Sequence, residues 1–295
     1  MLQWQLQQRV ALPLEVKIEL TKLRIRQWLD AFDAYVSFSG GKDSTVLLDL
    51  ARQVDKTIPA VFLNTGLEYP EIVKFVMTVD NVIVIRPEKS FKQVIEEYGY
   101  PVISKMQSRY IYEARTTKSK TLLDKRLNSP NRYQKIAKRW QYLINAPFKI
   151  SNSCCYWLKK KPAKQYEKQT SRYPILGTTI GESKQRQAYY LRYGCNRINH
   201  KQSHPMSFWT EEDAWTYINQ NNLPYSKLYD MGYQRSGCMF CMFGIHLEKE
   251  PNRFQLMCKT HPKLYDYCIN KLECGKVLDC IGVEYKPPLT LFELL

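Results

Sequence analysis

The stretch Ser39-Gly40-Gly41-Lys42-Asp43-Ser44-Thr45 constrains this chain more than any other. It follows residues 34–38, a short apolar run with strand character, and leads into residues 43–54, where apolar side chains recur at helical spacing. A strand that turns through paired glycines into a helix points backbone N–H groups and the positive end of the helix dipole at one spot, which suits phosphate. Lys42 adds a full charge, and Ser39, Ser44 and Thr45 add hydroxyl donors, with Ser37 at the strand end completing the candidate set. Asp43 places a carboxylate where phosphate would sit, so it either orients a magnesium ion or caps the helix. The spacing is not that of the Gly-x-x-x-x-Gly-Lys loop.

Around this loop the pattern alternates. Residues 14–32 carry Val16, Ile18, Leu20, Leu23, Ile25, Trp28 and Leu29 at helical spacing and predict an amphipathic leading helix. Strands are expected at 34–38, 58–63, 82–85 and 173–177, with helices at 43–54 and 70–79. A mostly helical stretch, 91–166, breaks at Asn128-Ser129-Pro130-Asn131, and Thr210 is the expected N-cap of a helix reaching Asn221. Strands alternating with helices imply an α/β fold with a parallel sheet flanked by helices. The expected division is a helical segment at 1–33, a nucleotide-binding domain at 34–235 with a helical insertion, and a small cysteine-rich lobe at 236–295.

Charge is distributed unevenly. The chain carries +16, and the segment 104–172 alone holds 18 Lys/Arg against Glu113, Asp124 and Glu167. Tyr110, Tyr112, Tyr133, Trp140 and Tyr142 are scattered through it. Cations interleaved with aromatics suit a phosphate backbone and stacked bases, so nucleic acid is the expected partner. The competing reading is a solvated helical face with its aromatics turned inward. No apolar run approaches the roughly 18 residues of a membrane span, and the first residues do not read as a signal peptide. A soluble cytoplasmic protein with no membrane partner is therefore expected.

The nine cysteines then read as thiols or metal ligands and not as disulfides. Cys154-Cys155 are adjacent, and Cys238-x-x-Cys241 lies far downstream. Together they offer four soft ligands, enough for tetrahedral zinc or a 4Fe–4S cluster. Adjacent cysteines are expected to diverge, which favours the cluster, with its separate irons, over one zinc. Cys195, Cys258, Cys268 and Cys280 read as buried thiols, and His246 and His261 as ordinary packing.

The Ser-Gly-Gly-x-Asp-Ser core of the loop resembles the PP-loop, or ATP-pyrophosphatase, superfamily, which implies the adenine nucleotide alpha hydrolase-like fold. It also implies ATP with Mg²⁺ cleaved between the α and β phosphates. The segment from Cys154-Cys155 to Lys159 and Pro162 resembles the Cys-Cys-x-x-x-Lys-x-x-Pro stretch of cluster-containing sulfonucleotide reductases. Gly177, Glu182, Ser183 and Arg186 resemble that family's Gly-x-Arg-x-x-Glu-Ser-x-x-Arg stretch, and 205–241 resembles its second cysteine region. Residues 62–71, with Asn64, Thr65, Gly66 and Glu68, resemble its nucleotide-side loop. By this resemblance Lys159 sits near cluster and phosphates, and Cys274 in Glu273-Cys274-Gly275 corresponds to the nucleophile of the reductase tail.

Three departures matter. The phosphate loop is complete where reductases usually carry a degenerate one; Thr179 replaces the arginine expected two residues after Gly177; and Lys276-Val277 follow Gly275 where the reductase tail has leucine and histidine. The complete loop resembles more closely the PAPS-reductase-like ATP pyrophosphatases of DNA phosphorothioation, which work beside a cysteine desulfurase. The leading expectation is an ATP pyrophosphatase and sulfurtransferase, with Lys42, Asp43 and Lys159 catalytic, acting on DNA ahead of tRNA. An APS or PAPS reductase that uses Cys274 and a thioredoxin-like donor is the first alternative, and a catalytically silent nucleic-acid-binding regulator the second. A homodimer is left open.

Overall fold

In the computed structural model, which describes residues 2–286 and omits the Glu182 side chain, the chain forms two compact units. The first runs to Asn64 and takes in Glu68–Arg86 and Pro162–Ser236; the second holds Thr65–Leu67, Pro87–Lys161 and the chain from Gly237 onward. Each unit is discontinuous, so this organisation cuts across the sequential division at residues 33 and 235. The leading helix shares a unit with the phosphate loop, and the helical insertion shares one with the cysteine-rich C-terminal part.

The first unit is built on a six-stranded sheet in the order Val82–Ile85, Ala60–Leu63, Ala34–Ser37, Tyr173–Leu176, Gln202–Ser203, Asn196–Arg197. All neighbours pair in parallel except the last, an antiparallel hairpin. This is the expected parallel α/β sheet flanked by helices. Ala34–Ser37 is flanked on both sides, with Ser37 level with Val61 and Leu176. Its carboxyl end, and the loop that follows, therefore sit at mid-sheet, where open parallel sheets place their ligands. Tyr35 packs edge-on against Tyr166 at 5.1 Å and, with Val61, forms part of the core.

The leading helix, Leu14–Leu29, corrects one expectation. It buries Lys17, Thr21, Ile25 and Trp28, while Val16 and Leu23 stay exposed. The inward face is chosen by polar partners: Lys17 Nζ lies 2.6 Å from Asp213, and Trp209 Nε1 donates to Thr21 Oγ1 at 2.9 Å. Asp213 also accepts from the Thr210 backbone N–H, closing the box that starts helix Glu211–Gln220 at the predicted N-cap.

The second unit is mainly helical, with Phe91–Tyr98, Lys105–Thr116, Lys120–Asn128, Arg253–Thr260 and Cys274–Cys280 among its helices. A two-residue parallel pair joins Val102–Ile103 to Met242–Phe243, tying the start of the insertion to the chain just past Cys241. Gly99, at φ +105, lets its backbone lie against Lys149 and Ile150; an added Cβ would fall 2.3 Å from the Lys149 carbonyl carbon. That close approach carries the segment leading to Cys154 alongside Tyr100.

Candidate phosphate loop and cysteine quartet

The predicted loop forms as expected between strand Ala34–Ser37 and helix Lys42–Val54. Gly40 takes φ +71, and a Cβ there would lie 2.7 Å from Val76 Cγ2 and 2.9 Å from Ile72 Cγ2, so the position admits glycine alone without rearrangement. The hydroxyls are committed differently from the sequence expectation. Ser44 Oγ donates to the Gly41 carbonyl at 2.8 Å and Thr45 Oγ1 to the same carbonyl at 3.1 Å. Each hydroxyl has one proton, so these two serve the loop's own backbone. Ser39, which is exposed and 3.0 Å from Ser44 Oγ, then donates to Ser44, so its proton too is held within the loop.

Lys42 is buried, with Nζ 3.2 Å from Asp43 and 3.3 Å from Glu211. Burial alone would lower its pKa, but Asp43, Glu211 and Tyr229 outweigh that and hold it above the usual lysine value, so the ammonium is permanent. The Lys42 backbone N–H donates to the Tyr229 hydroxyl at 2.8 Å. A Cβ on Gly41 would meet Ser236 Oγ at 2.2 Å, so Ser236 also closes on the loop. Tyr229 is fixed edge-on by Trp215 at 5.1 Å. Glu211, Tyr229 and Ser236 were not identified as loop partners from the sequence; they arrive from 169 or more positions away, and no local signal marks them.

Gly177, just past strand Tyr173–Leu176, abuts the loop helix: a Cβ would lie 2.9 Å from the Asp43 carbonyl oxygen. Ser183 is the N-cap of helix Lys184–Tyr193, accepting from the Arg186 N–H at 3.2 Å, and Arg186 lies half-buried in its first turn. The Glu182 side chain lies outside the described residues. Asn64 continues the sheet ladder through its N–H to the Ile85 carbonyl, and Glu68 is half-buried. In the second unit, buried Thr65 accepts from the Leu67 N–H at 3.2 Å, and exposed Gly66 turns at φ +77.

All four candidate cysteine ligands fall in the second unit. The expected divergence of the adjacent pair is not observed: Cys154 Sγ donates to Cys155 Sγ at 4.0 Å, because the backbone is already helical at Cys155 ahead of the π-turn Tyr156–Lys160. That donation raises the Cys154 pKa, reinforced by burial and by Cys155, Cys241 and Cys238. It lowers that of Cys155 to about 6 against the opposing effect of burial, helped by Lys105, Lys159 and Lys160. Cys238 and Cys241 sit on one turn, with the Cys241 N–H bonded to the Cys238 carbonyl, and burial pushes Cys241 up to about 11. Single zinc needs its sulfurs about 2.3 Å from one point, and among the described residues no three Cys, His, Asp or Glu side chains are so arranged.

A model of the phosphoadenosine phosphosulfate reductase domain matches residues 33–243, more than half of the chain. The chain belongs to this family. Among its relatives, the uncharacterized protein MJ0973 of Methanocaldococcus jannaschii is 28% identical over 80% of this chain and 47% of its own length. Adenosine 5'-phosphosulfate reductase 2 of Bacillus subtilis is 25% identical over 69% of this chain and 70% of its own. This chain thus spans about half the length of the first of these relatives. A crystal structure of phosphoadenylyl-sulfate (PAPS) reductase from Candida auris, in a phosphate complex, aligns with TM-score 0.44 and 14% identity over 74% of this chain and 87% of that one.

Within this PAPS reductase family member, Lys159 is half-buried and close enough to Cys155 to lower its pKa. Cys274 is fully buried at the start of helix Cys274–Cys280 and bonds to the equally buried Cys268 thiol. Side chains of the basic segment differ in burial. Tyr112, Tyr133 and Tyr142 are exposed, whereas Trp140 is buried. Arg126 is also buried, on Glu113, while Lys118, Lys120, Lys125, Arg132, Lys138 and Arg139 face solvent. His246 packs edge-on against Trp140 at 5.4 Å, the expected packing role. Cys195 and Cys268 are buried as expected, while Cys258 and Cys280 are partly exposed. No helix among the described residues is long and apolar enough to cross a membrane.

Proposed function

We propose that this chain is an ATP-dependent, pyrophosphate-releasing sulfurtransferase whose acceptor is nucleic acid, DNA ahead of tRNA. The observation that carries this reading is the complete loop, with Lys42 permanently charged and clasped between Asp43 and Glu211. An anionic phosphate would compete for that ammonium, leaving Asp43 to orient Mg²⁺. The acceptor oxygen attacks the α-phosphorus, pyrophosphate leaves, and a sulfur nucleophile then displaces AMP from the adenylated acceptor. Lys42 and the helix N-terminus offset the charge that develops on the departing pyrophosphate. The exposed lysines, arginines and tyrosines of 104–161 would hold the acceptor. Cys154, Cys155, Cys238 and Cys241 would hold a 4Fe–4S cluster, which when bound would supply a sulfur- or electron-handling centre; Lys159, with Lys105 and Lys160, would add positive charge beside Cys155. A cysteine desulfurase is the expected sulfur source.

The test is pyrophosphate release from ATP by anaerobically purified protein with a sulfur donor and either DNA or tRNA. Release that depends on nucleic acid and is lost in Lys42→Ala supports the reading; no release with any acceptor refutes it. Reduction of APS or PAPS is the second reading, favoured by relatives named as APS reductases. It needs an accessible thiol at Cys274, and the burial of that side chain weighs against it. Sulfite formation abolished by Cys274→Ser would establish it instead.

A further inference from the structure

Two buried polar atoms of the first unit have no hydrogen-bond partner and lie on one short hairpin: His204 Nε2 and Arg197 Nε. Asn196 pairs with Ser203 and Arg197 with Gln202, and the His204 N–H continues the ladder to the Cys195 carbonyl. Side chains alternate along strands, so Arg197 and His204 project from the same face. The opposite face is closed by Ser203 Oγ donating to Asn196 Oδ1 at 2.7 Å.

His204 is 8% exposed, and its Nδ1 lies 2.7 Å from Thr178 Oγ1. When Thr178 donates to Nδ1, the ring proton belongs on Nε2, the unpartnered atom, which then becomes a buried donor with nothing to accept from it. Burial, with Arg197 and Arg186 beside it, holds the ring down to about 3, so it is neutral at ordinary pH. Arg197 is half-buried and has no carboxylate partner among the described residues. Burial lowers its pKa, and its guanidinium carbon lies 5.4 Å from the centroid of the Tyr189 ring, a contact that brings no carboxylate to it. Buried polar groups are nearly always satisfied, and desolvated cations are nearly always paired. A guanidinium and an imidazole N–H left open side by side ask for one acceptor with negative charge.

The position is also informative. Thr178, which holds His204, follows Gly177, and Gly177 packs on the backbone of Asp43 and Ser44 at the start of the loop helix. We propose that Arg197 and His204 form an oxyanion-binding subsite beside the phosphate loop, taking a phosphate or sulfate group. Arg197 supplies the charge and, being partly exposed, the access; His204 supplies a neutral directional donor whose orientation Thr178 fixes. The subsite is independent of the loop lysine, so it binds an anion whether or not ATP is the nucleotide used.

Inorganic phosphate and inorganic sulfate, titrated separately into the full chain by calorimetry, test this. The Lys42→Ala background silences the loop, and binding of at least one of the two anions should persist there. Adding Arg197→Leu should then weaken it by about 10–100-fold, the range of a lost charge-assisted hydrogen bond. Arg197→Lys, which keeps the charge without the planar fork, should fall between. Because a core substitution at His204 risks misfolding, its part is read in the unmutated ring: the Nε2–H resonance should shift on adding the anion. No anion binding in Lys42→Ala, affinity indifferent to Arg197→Leu in a folded protein, or an unmoved His204 resonance would each overturn the proposal.

Discussion

Gly40→Ala is the substitution that most directly tests how the phosphate loop is held. Two costs act at this position. Gly40 sits at φ +71, a left-handed conformation that costs a residue with a Cβ about 1–2 kcal/mol. The new methyl would also lie 2.7 Å from Val76 Cγ2 and 2.9 Å from Ile72 Cγ2, and overpacking of this kind costs about 1–3 kcal/mol. The sum is about 2–5 kcal/mol. Gly232 in the same unit provides the control, since it has φ +89 but nothing within 4 Å of its Cβ position. Gly232→Ala should cost only the backbone share, about 1–2 kcal/mol. Urea unfolding of both variants, followed by a probe in the first unit, isolates the packing share as the difference. Helix Pro70–Val76 or the loop must give way to relieve the clash, so ATP affinity should fall in Gly40→Ala and not in Gly232→Ala. Equal destabilisation of the two variants would refute the claim that the loop is clamped against Ile72 and Val76.

Lys17→Met should destabilise the first unit by about 3–5 kcal/mol, because Asp213 would lose its 2.6 Å partner in a largely enclosed setting; thermal unfolding of the variant checks this. The pH dependence of stability follows from His204. Its folded pKa, about 3, lies below the ordinary value of 6.5, so the unfolded state binds the extra proton. Stability is therefore full above pH 6.5 and declines as pH falls toward 3, by about 4–5 kcal/mol at most from this residue. In a buffer free of phosphate and sulfate, His204→Gln should flatten that acid limb of the unfolding curve, and an unchanged limb would show that His204 is not the titrating group.

Elements whose signal is local were legible in the sequence. Two glycines between an apolar run and a helical repeat can do little else than turn a strand into a helix with its N–H groups outward. Loop Ser39–Thr45 and the N-cap at Thr210 accordingly stand where expected. The alternation of strands and helices fixed the sheet as parallel, and the pairing of Ala34–Ser37 with Ala60–Leu63 and Tyr173–Leu176 followed. The leading helix was legible as a helix but not in its orientation. Its apolar spacing pointed Val16 and Leu23 inward, whereas the buried face carries Lys17 and Thr21. Hydrophobic periodicity cannot register a partner such as Asp213, 196 residues away, which makes a buried ammonium tolerable.

The loop itself divides the same way. Its sequence determined by itself that a cradle of backbone N–H groups forms beside a lysine there, because glycine torsions, a helix N-terminus and a lysine are local properties of the chain. Only the tertiary structure decided which groups face that cradle. It turned the Ser44 and Thr45 hydroxyls back onto the Gly41 carbonyl, brought Glu211 to Lys42, and set the Tyr229 hydroxyl against the Lys42 N–H. It also brought the Cys154 and Cys155 thiols together, where chain adjacency suggested they would diverge, and buried Cys274 against Cys268. The physical reason is common to all of these. A torsion angle or a helix dipole belongs to a few consecutive residues, but a hydrogen bond, an ion pair or the burial of a thiol depends on the partner that packing delivers.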